Sequence, residues 1–236
     1  MDKAALLRAL YRLFVISSPL LLNDLYFPFL DDDQSQLSLV LDLLFYIAFQ
    51  TIIVALVYEA GWFRFRDLGI TLEQWPRQLL AGCGILLALF LFSALAAAGF
   101  EAVKQNTGID LAGEGHAPLP DYAPGYLALY VFYLAASAGI YEEIIYRGIA
   151  IHQLRLLTRN RWVWGLGSAL LFALIHWSLG LFIMTIAFAF GVFWAFLFIR
   201  TGRLLPIMFA HFVFDYVSFM EWDAPLNNWL AGLLGA

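Results

Sequence analysis

Long apolar runs, broken at intervals by short clusters of polar and charged residues, dominate the pattern along this chain. Apolar windows of about 20 residues are long enough to cross the ~30 Å hydrocarbon core of a bilayer as helices. The pattern predicts such spans near 9–30, 37–58, 79–100, 124–147, 163–179, 181–199 and 204–220. The first is interrupted by Pro19, Asn23, Asp24 and Pro28. A tail from Leu226 to Gly235 is too short for a full span and reads as a partial or interfacial helix. That gives seven spans, with eight as the rival count. The stretch 101–123 carries Gly108, Gly113, Gly115, Pro118 and Pro120 and reads as an external loop. Neither an internal repeat nor a low-complexity linker is visible. The expected fold class is all-α, a polytopic membrane bundle of about seven to eight helices. Its expected organisation is 1–123 for the N-terminal spans and external loop, 124–220 for a helical core, and 221–236 for a short tail.

Composition removes the soluble alternative. The chain of 236 residues is 63% hydrophobic and 13% charged, with a mean hydropathy of +0.79. A soluble domain carries about 25% charged residues. The net charge of -5 comes without any basic tract, so nucleic acid is not an expected partner. The single cysteine, Cys83, excludes a disulfide framework or a cysteine zinc cluster, and reads as a small buried hydrophobe. Lys3, Arg8 and Arg12 precede an apolar stretch with no small-residue cleavage site, which reads as a retained first span.

Charge also orients the bundle. With a cytoplasmic N-terminus, the cytoplasmic segments collect Lys3, Arg8, Arg12, Arg64, Arg66, Arg77, Arg147, Arg155, Arg159, Arg161, Arg200 and Arg203, leaving only Lys104 outside. The opposite side collects Asp31, Asp32, Asp33, Glu101, Asp110, Glu114, Asp121, Glu221 and Asp223. This bias obeys the positive-inside rule. The expected location is an integral, multi-pass position, in the plasma (inner) membrane if the source is prokaryotic.

A few ionisable groups fall inside the predicted spans: Asp42, Glu142, Glu143, Arg147, His176, His211 and Asp215. Each costs roughly 2.5–3.5 kcal/mol on insertion scales, so an intramembrane ionisable group is a functional hypothesis by default. At a rise of ~1.5 Å per residue, Glu142 lies ~20 Å from Arg155, His176 ~22 Å from Arg161, and His211 and Asp215 ~12 and ~18 Å from Arg203. Three helices thus place ionisable groups near one level. Residues four apart share a face, which pairs Glu143 with Arg147, His211 with Asp215, and Phe172 with His176. Glu142 points about 100° away from Glu143. One division therefore has Glu143 held by Arg147 as a structural ion pair and Glu142 free for chemistry. Singly, each has a structural alternative: a carbonyl-bonded core histidine for His176, and an interhelical polar clamp for His211 and Asp215. Asp42 reads as structural, while His116 and His152 have no partner at useful spacing. The functional reading rests on the joint set.

These residues resemble a known family. Glu142-Glu143-x-x-x-Arg147-Gly148 looks like the first motif of the CAAX prenyl endopeptidase and bacteriocin-processing (CPBP, or Abi) family of intramembrane proteases. Phe172-x-x-x-His176 resembles its second motif and His211-x-x-x-Asp215 its third, with Arg200-Thr201-Gly202 similar to the loop before the third. The motifs occur in family order over about 139–217, while the N-terminal third shares only general hydropathy. The resemblance implies that Glu142 activates water with help from His176. It implies that His211 and Asp215 polarise the scissile carbonyl and stabilise the oxyanion. Glu143, Arg147 and Phe172 would be structural supports. Two positions depart from the pattern: Tyr146 stands where Phe is usual, and Asp215 where Asn is typical. An ionised Asp cannot donate to an oxyanion. Asp215 would have to be protonated, orient His211, or bind metal.

The implied function is an intramembrane endopeptidase, acting on a membrane-associated or lipid-modified protein or peptide reached through the bilayer. Peptide hydrolysis needs an activated water and a stabilised oxyanion. No cofactor is expected for glutamate chemistry. The alternative is a zinc hydrolase with Glu142, His176 and His211 as ligands, although no His-Glu-x-x-His helix is present. A proton-coupled transporter using Glu142, His176 and His211, and a non-catalytic membrane scaffold, are the remaining readings.

Overall fold

A computed structural model describes residues 3–23, 25, 35–108 and 122–234. Asp24, Pro28, Asp31, Asp32, Asp33, Asp110, Glu114, Asp121, His116 and the side chain of Asp42, all singled out above, lie outside the described residues. Regular structure among the described residues is entirely helical. Eight helices follow in order: α1 (Lys3–Asn23), α2 (35–59), α3 (Trp75–Thr107), α4 (Pro124–Leu157), α5 (Arg161–Leu174), α6 (Gly180–Thr201), α7 (Leu205–Phe219) and α8 (Ala224–Leu234). Five are long and apolar enough to cross a membrane; α5 and α7 are shorter apolar helices.

Two helices outrun their predicted spans. The stretch 101–107, expected as loop, continues α3, with Gln105 Nε2 donating to Glu101 Oε1 at 3.2 Å on one face. It ends where Gly108 takes the left-handed conformation (φ 71°) at the C-cap. Helix α4 runs ten residues past 147, because Arg147 is not a loop cation. Its side chain is fully buried and ion-paired within the helix. Conversely, the span expected at 163–179 stops at Leu174. The tail forms an eleven-residue helix of ~16 Å, about half a bilayer core.

Helix α4 forms the axis of the bundle. Its middle, Ala138–Ala150, is a thirteen-residue π-helical stretch flanked by α-helix on both sides. Ten of those thirteen residues are buried, as α1, α5, α6 and α7 all pack on it. At Gly139 a Cβ would lie 2.9 Å from the Phe212 amide, so glycine is what lets α7 approach. Helix α5 packs along α6, and α3 packs along α7 and α8. Helix α2 is peripheral: 12% of its membrane window is buried, against 50% for α4. The large exposed apolar side chains, Leu80, Leu87 and Leu181 among them, form the lipid-facing surface. Cys83 belongs to that surface. It is exposed on α3, not buried as expected from its apolar surroundings.

The short loops are tied together at one end. Leu204 N–H donates to Gly69 O at 3.2 Å, and Gln153 Nε2 to Trp62 O at 2.7 Å. Gly69 has φ 67°, and a Cβ there would meet Gly202 O at 2.1 Å. Only glycine fits that crossing.

Candidate active site

The π-helical part of α4 carries Glu142, Glu143 and Arg147, all buried. Arg147 Nη1 lies 3.1 Å from Glu143 Oε1, the i,i+4 pair expected from the spacing. No nitrogen of the guanidinium has hydrogen-bond geometry to a partner. Instead it sits over the Phe172 ring at 4.1 Å and near Trp194 at 4.9 Å. Two aromatic faces thus hold a buried cation.

Helix α7 brings His211 between the two carboxylates. Its Nδ1 is 2.8 Å from Glu143 Oε1 and its Nε2 is 3.8 Å from Glu142 Oε2. Asp215, one turn on, places Oδ2 3.2 Å from the same Nε2. Both ring nitrogens face carboxyl oxygens. A neutral imidazole carries one N–H, so this arrangement needs a second proton on the ring or on a carboxyl group. Trp194 of α6 covers the ring, with centroids 4.3 Å apart.

The division of labour inferred from spacing is refined by these contacts. Glu143 is more than a partner of Arg147, because it also holds His211. Glu142 is not free either: the Tyr46 hydroxyl donates to its Oε1. Tyr46 lies in the π-helical stretch Leu43–Phe49 of α2. Nearby, Thr51 and Tyr141 hydroxyls lie 2.6 Å apart, a second link between α2 and α4. Sequence reasoning missed Tyr46 and Trp194, since each reads as one more aromatic in an aromatic-rich chain.

His176 is not on a helix face. Helix α5 ends before it, and His176 precedes the 3₁₀ turn Trp177–Leu179. Its amide donates to Ala173 O at 3.1 Å. The ring takes over the carbonyl that a continuing α-helix would have used, with Nδ1 3.0 Å from Phe172 O. A carbonyl only accepts, so Nδ1 carries the hydrogen and Nε2 of the neutral ring presents a lone pair. His176 adjoins the cluster through Phe172, whose ring centroid is 5.0 Å from His176 and 6.1 Å from His211.

The structure therefore gathers Glu142, Glu143, Arg147, His211 and Asp215 directly, with Phe172 and Trp194 as an aromatic lining. Among the described residues, no group of three or more His, Cys, Asp or Glu side chains is arranged to hold a metal ion. His152, on the part of α4 beyond the π stretch, is half-buried.

Residues 124–217 match the family model described as type II CAAX prenyl endopeptidase Rce1-like. The matched segment runs from the start of α4 almost to the end of α7 and contains all the residues just described except Tyr46 and Thr51. No curated protein and no solved structure matches the chain.

Proposed function

We propose that this integral membrane protein hydrolyses a peptide bond of a membrane-associated or lipid-modified substrate, on the ground that residues 124–217 match the family model of type II CAAX prenyl endopeptidases. The observation that carries this reading is the buried chain of contacts from Glu142 to His211 to Glu143 to Arg147. Glu142 acts as the general base toward water. His176 assists by offering its Nε2 lone pair to a water hydrogen. His211 serves as the N–H donor to the carbonyl oxygen as negative charge develops there. Glu143 holds His211 in the orientation that aims Nε2 toward Glu142 and Asp215, as a carboxylate orients a catalytic imidazole. Asp215 Oδ2, 3.2 Å from the same Nε2, accepts that N–H in the resting site, and the carbonyl oxygen of the substrate takes over as acceptor as charge develops on it. In this role Asp substitutes for a donor amide without itself touching the oxyanion.

The chemistry proposed uses no metal ion. Support comes from the donor set: Nδ1 of both histidines is engaged by a protein oxygen, and Nε2 of His211 by a carboxylate. The N-terminus is proposed to be cytoplasmic. The basic loops around 64–77 and 200–203 are linked at one end of the bundle through Gly69, Glu73 and Arg203, and Gln153, two residues before Arg155, is bonded to Trp62 O beside the first of them.

The test compares membrane proteomes of cells carrying wild-type protein and Glu142→Gln. A membrane protein that keeps an extra terminal segment only in the variant is the expected substrate. Purified, chelator-treated wild type should then cleave a peptide spanning that site. Recovery of cleavage only on adding zinc would overturn the metal-free reading, and unaltered processing in the variant would overturn the protease reading itself.

A further inference from the structure

A second polar feature lies apart from the Glu142 cluster. Helix α3, the end of α6 and the start of α7 enclose a groove of about 490 Å³. Its polar end is lined by Gln74, Arg77, Gln78, Thr201 and Arg203, and its apolar wall includes Ile85, Ala88, Phe193 and Leu197. Among the described residues, no acidic side chain lines it.

The polar end is a built structure. Arg203 Nη1 donates to Glu73 O at 3.1 Å, which leaves the other guanidinium donors for a ligand. Gln74 caps α3 in the left-handed conformation at φ 54°, a costly state for a non-glycine residue that surrounding contacts must impose. Gln78 is 4% exposed. Its amide nitrogen donates to Thr71 O at 2.7 Å and Glu73 O at 2.8 Å. Those two carbonyls fix which end of the amide is oxygen. That oxygen, Oε1, is buried and has no hydrogen-bond partner.

We propose that this groove binds an anionic glycerophospholipid whose headgroup carries a hydroxyl. Arg77 and Arg203 supply cations for the phosphate. Gln78 Oε1 can only accept, so the ligand must bring a donor, which a headgroup hydroxyl does. The apolar wall takes an acyl chain. From Gln78 to Ala88 the helix rises ~15 Å, about half the ~30 Å hydrocarbon core and hence one leaflet. The groove opens toward lipid, because only 17% of the α3 membrane window is buried and Ala81, Gly84 and Ala88 are exposed. Anionic lipids concentrate on the cytoplasmic leaflet, the side to which the basic loops are assigned.

Native mass spectrometry of the full-length protein in detergent, with added dioleoyl lipids, tests this. Phosphatidylglycerol should be retained at least tenfold over phosphatidylcholine and several-fold over phosphatidic acid, which lacks the headgroup hydroxyl. Replacing both Arg77 and Arg203 by Gln should reduce phosphatidylglycerol to the phosphatidylcholine level. Ala88→Trp, introduced from an exposed position and so tolerated by the fold, should block the apolar wall and lower retention at least fivefold. Equal retention of phosphatidylcholine and phosphatidylglycerol would overturn the site. A preference for phosphatidic acid would overturn the role given to Gln78. Displacement of the lipid by equimolar glycerol 1-phosphate, or full retention in Ala88→Trp, would mean a soluble phosphate ligand and sink the lipid assignment.

Discussion

Helices α4 and α2 both contain a π-helical stretch and both contribute to the same carboxylate, yet they are built on opposite terms. The α4 stretch is buried on nearly every side and carries the charges. The α2 stretch contains no buried residue and packs mainly on α1. π-Helical turns often mark functional sites, because the widened turn re-aims side chains at an energetic cost. In α4 that cost is offset by packing from four helices. In α2 it is not, and what the stretch supplies to the site is one hydroxyl, that of Tyr46. The comparison teaches that Glu142, the proposed base, sits on the most enclosed helix, while a far more exposed neighbour completes its contacts.

The largest effects should come from α4. Removing Glu143 leaves Arg147 buried without its counter-charge, which costs about 3–5 kcal/mol. Glu143→Leu should therefore lower thermal stability in detergent sharply. Adding Arg147→Met removes the orphaned cation, and such a double replacement often restores stability. Activity should stay roughly 10–100-fold down even in the double variant, the range seen when a carboxylate that orients a metal-bound histidine is lost, if Glu143 orients His211 as proposed. A double variant that regains both stability and cleavage would reduce Glu143 to a structural role and break the comparison.

A smaller loss is expected at the α4–α7 crossing. Gly139→Ala places a methyl 2.9 Å from the Phe212 amide, within the helix that carries His211. Overpacking of this kind costs about 1–3 kcal/mol. The displaced α7 should also reduce kcat, with KM little changed. Unchanged stability would mean that α7 has room to shift.

How much of this was legible depends on what each feature needs from the sequence. The i,i+4 pairs Glu143–Arg147 and His211–Asp215 were readable because spacing alone puts them on one face, and the structure finds them at 3.1 and 3.2 Å. The convergence of His211 on both glutamates was not, since it depends on how closely α7 approaches at Gly139. The π-helical stretches have no residue signature; their apolar periodicity looks α-helical. Charge misled at Arg147, which was counted with the loop cations and proved to be enclosed by Phe172 and Trp194. Helix length was misjudged at 101–107 for a related reason, as a polar stretch beyond the membrane still forms helix. His176 was given a helix face because Phe172 and His176 are four apart. Its ring instead caps the carbonyl freed where α5 ends.

On α2 the expected effects are smaller still. Tyr46→Phe deletes the hydroxyl on Glu142, an interaction worth about 0.5–1.5 kcal/mol net. Stability should hardly move, whereas turnover should drop roughly tenfold, the cost of about 1.4 kcal/mol in transition-state stabilisation. Wild-type turnover in Tyr46→Phe would detach α2 from the reaction.

The smallest change is expected at Ile52 and Leu56, one helical turn apart on α2 and 52% and 59% exposed. In a soluble core, Leu→Ala leaves a cavity and costs about 2–5 kcal/mol. On a lipid-facing surface, acyl chains fill the space left by the truncated side chain, and no cavity forms. Ile52→Ala and Leu56→Ala should therefore stay within about 0.5 kcal/mol of wild type, the range for surface positions away from special features. They should also leave cleavage unaltered, because neither side chain is on the face that carries Tyr46 toward Glu142. Thermal unfolding and turnover measured in the same lipid nanodiscs check both statements. A loss of more than about 1 kcal/mol would place these side chains in a packed interface, above the surface range. Helix α2 would then be as firmly held as α4, and the contrast between the two would fail.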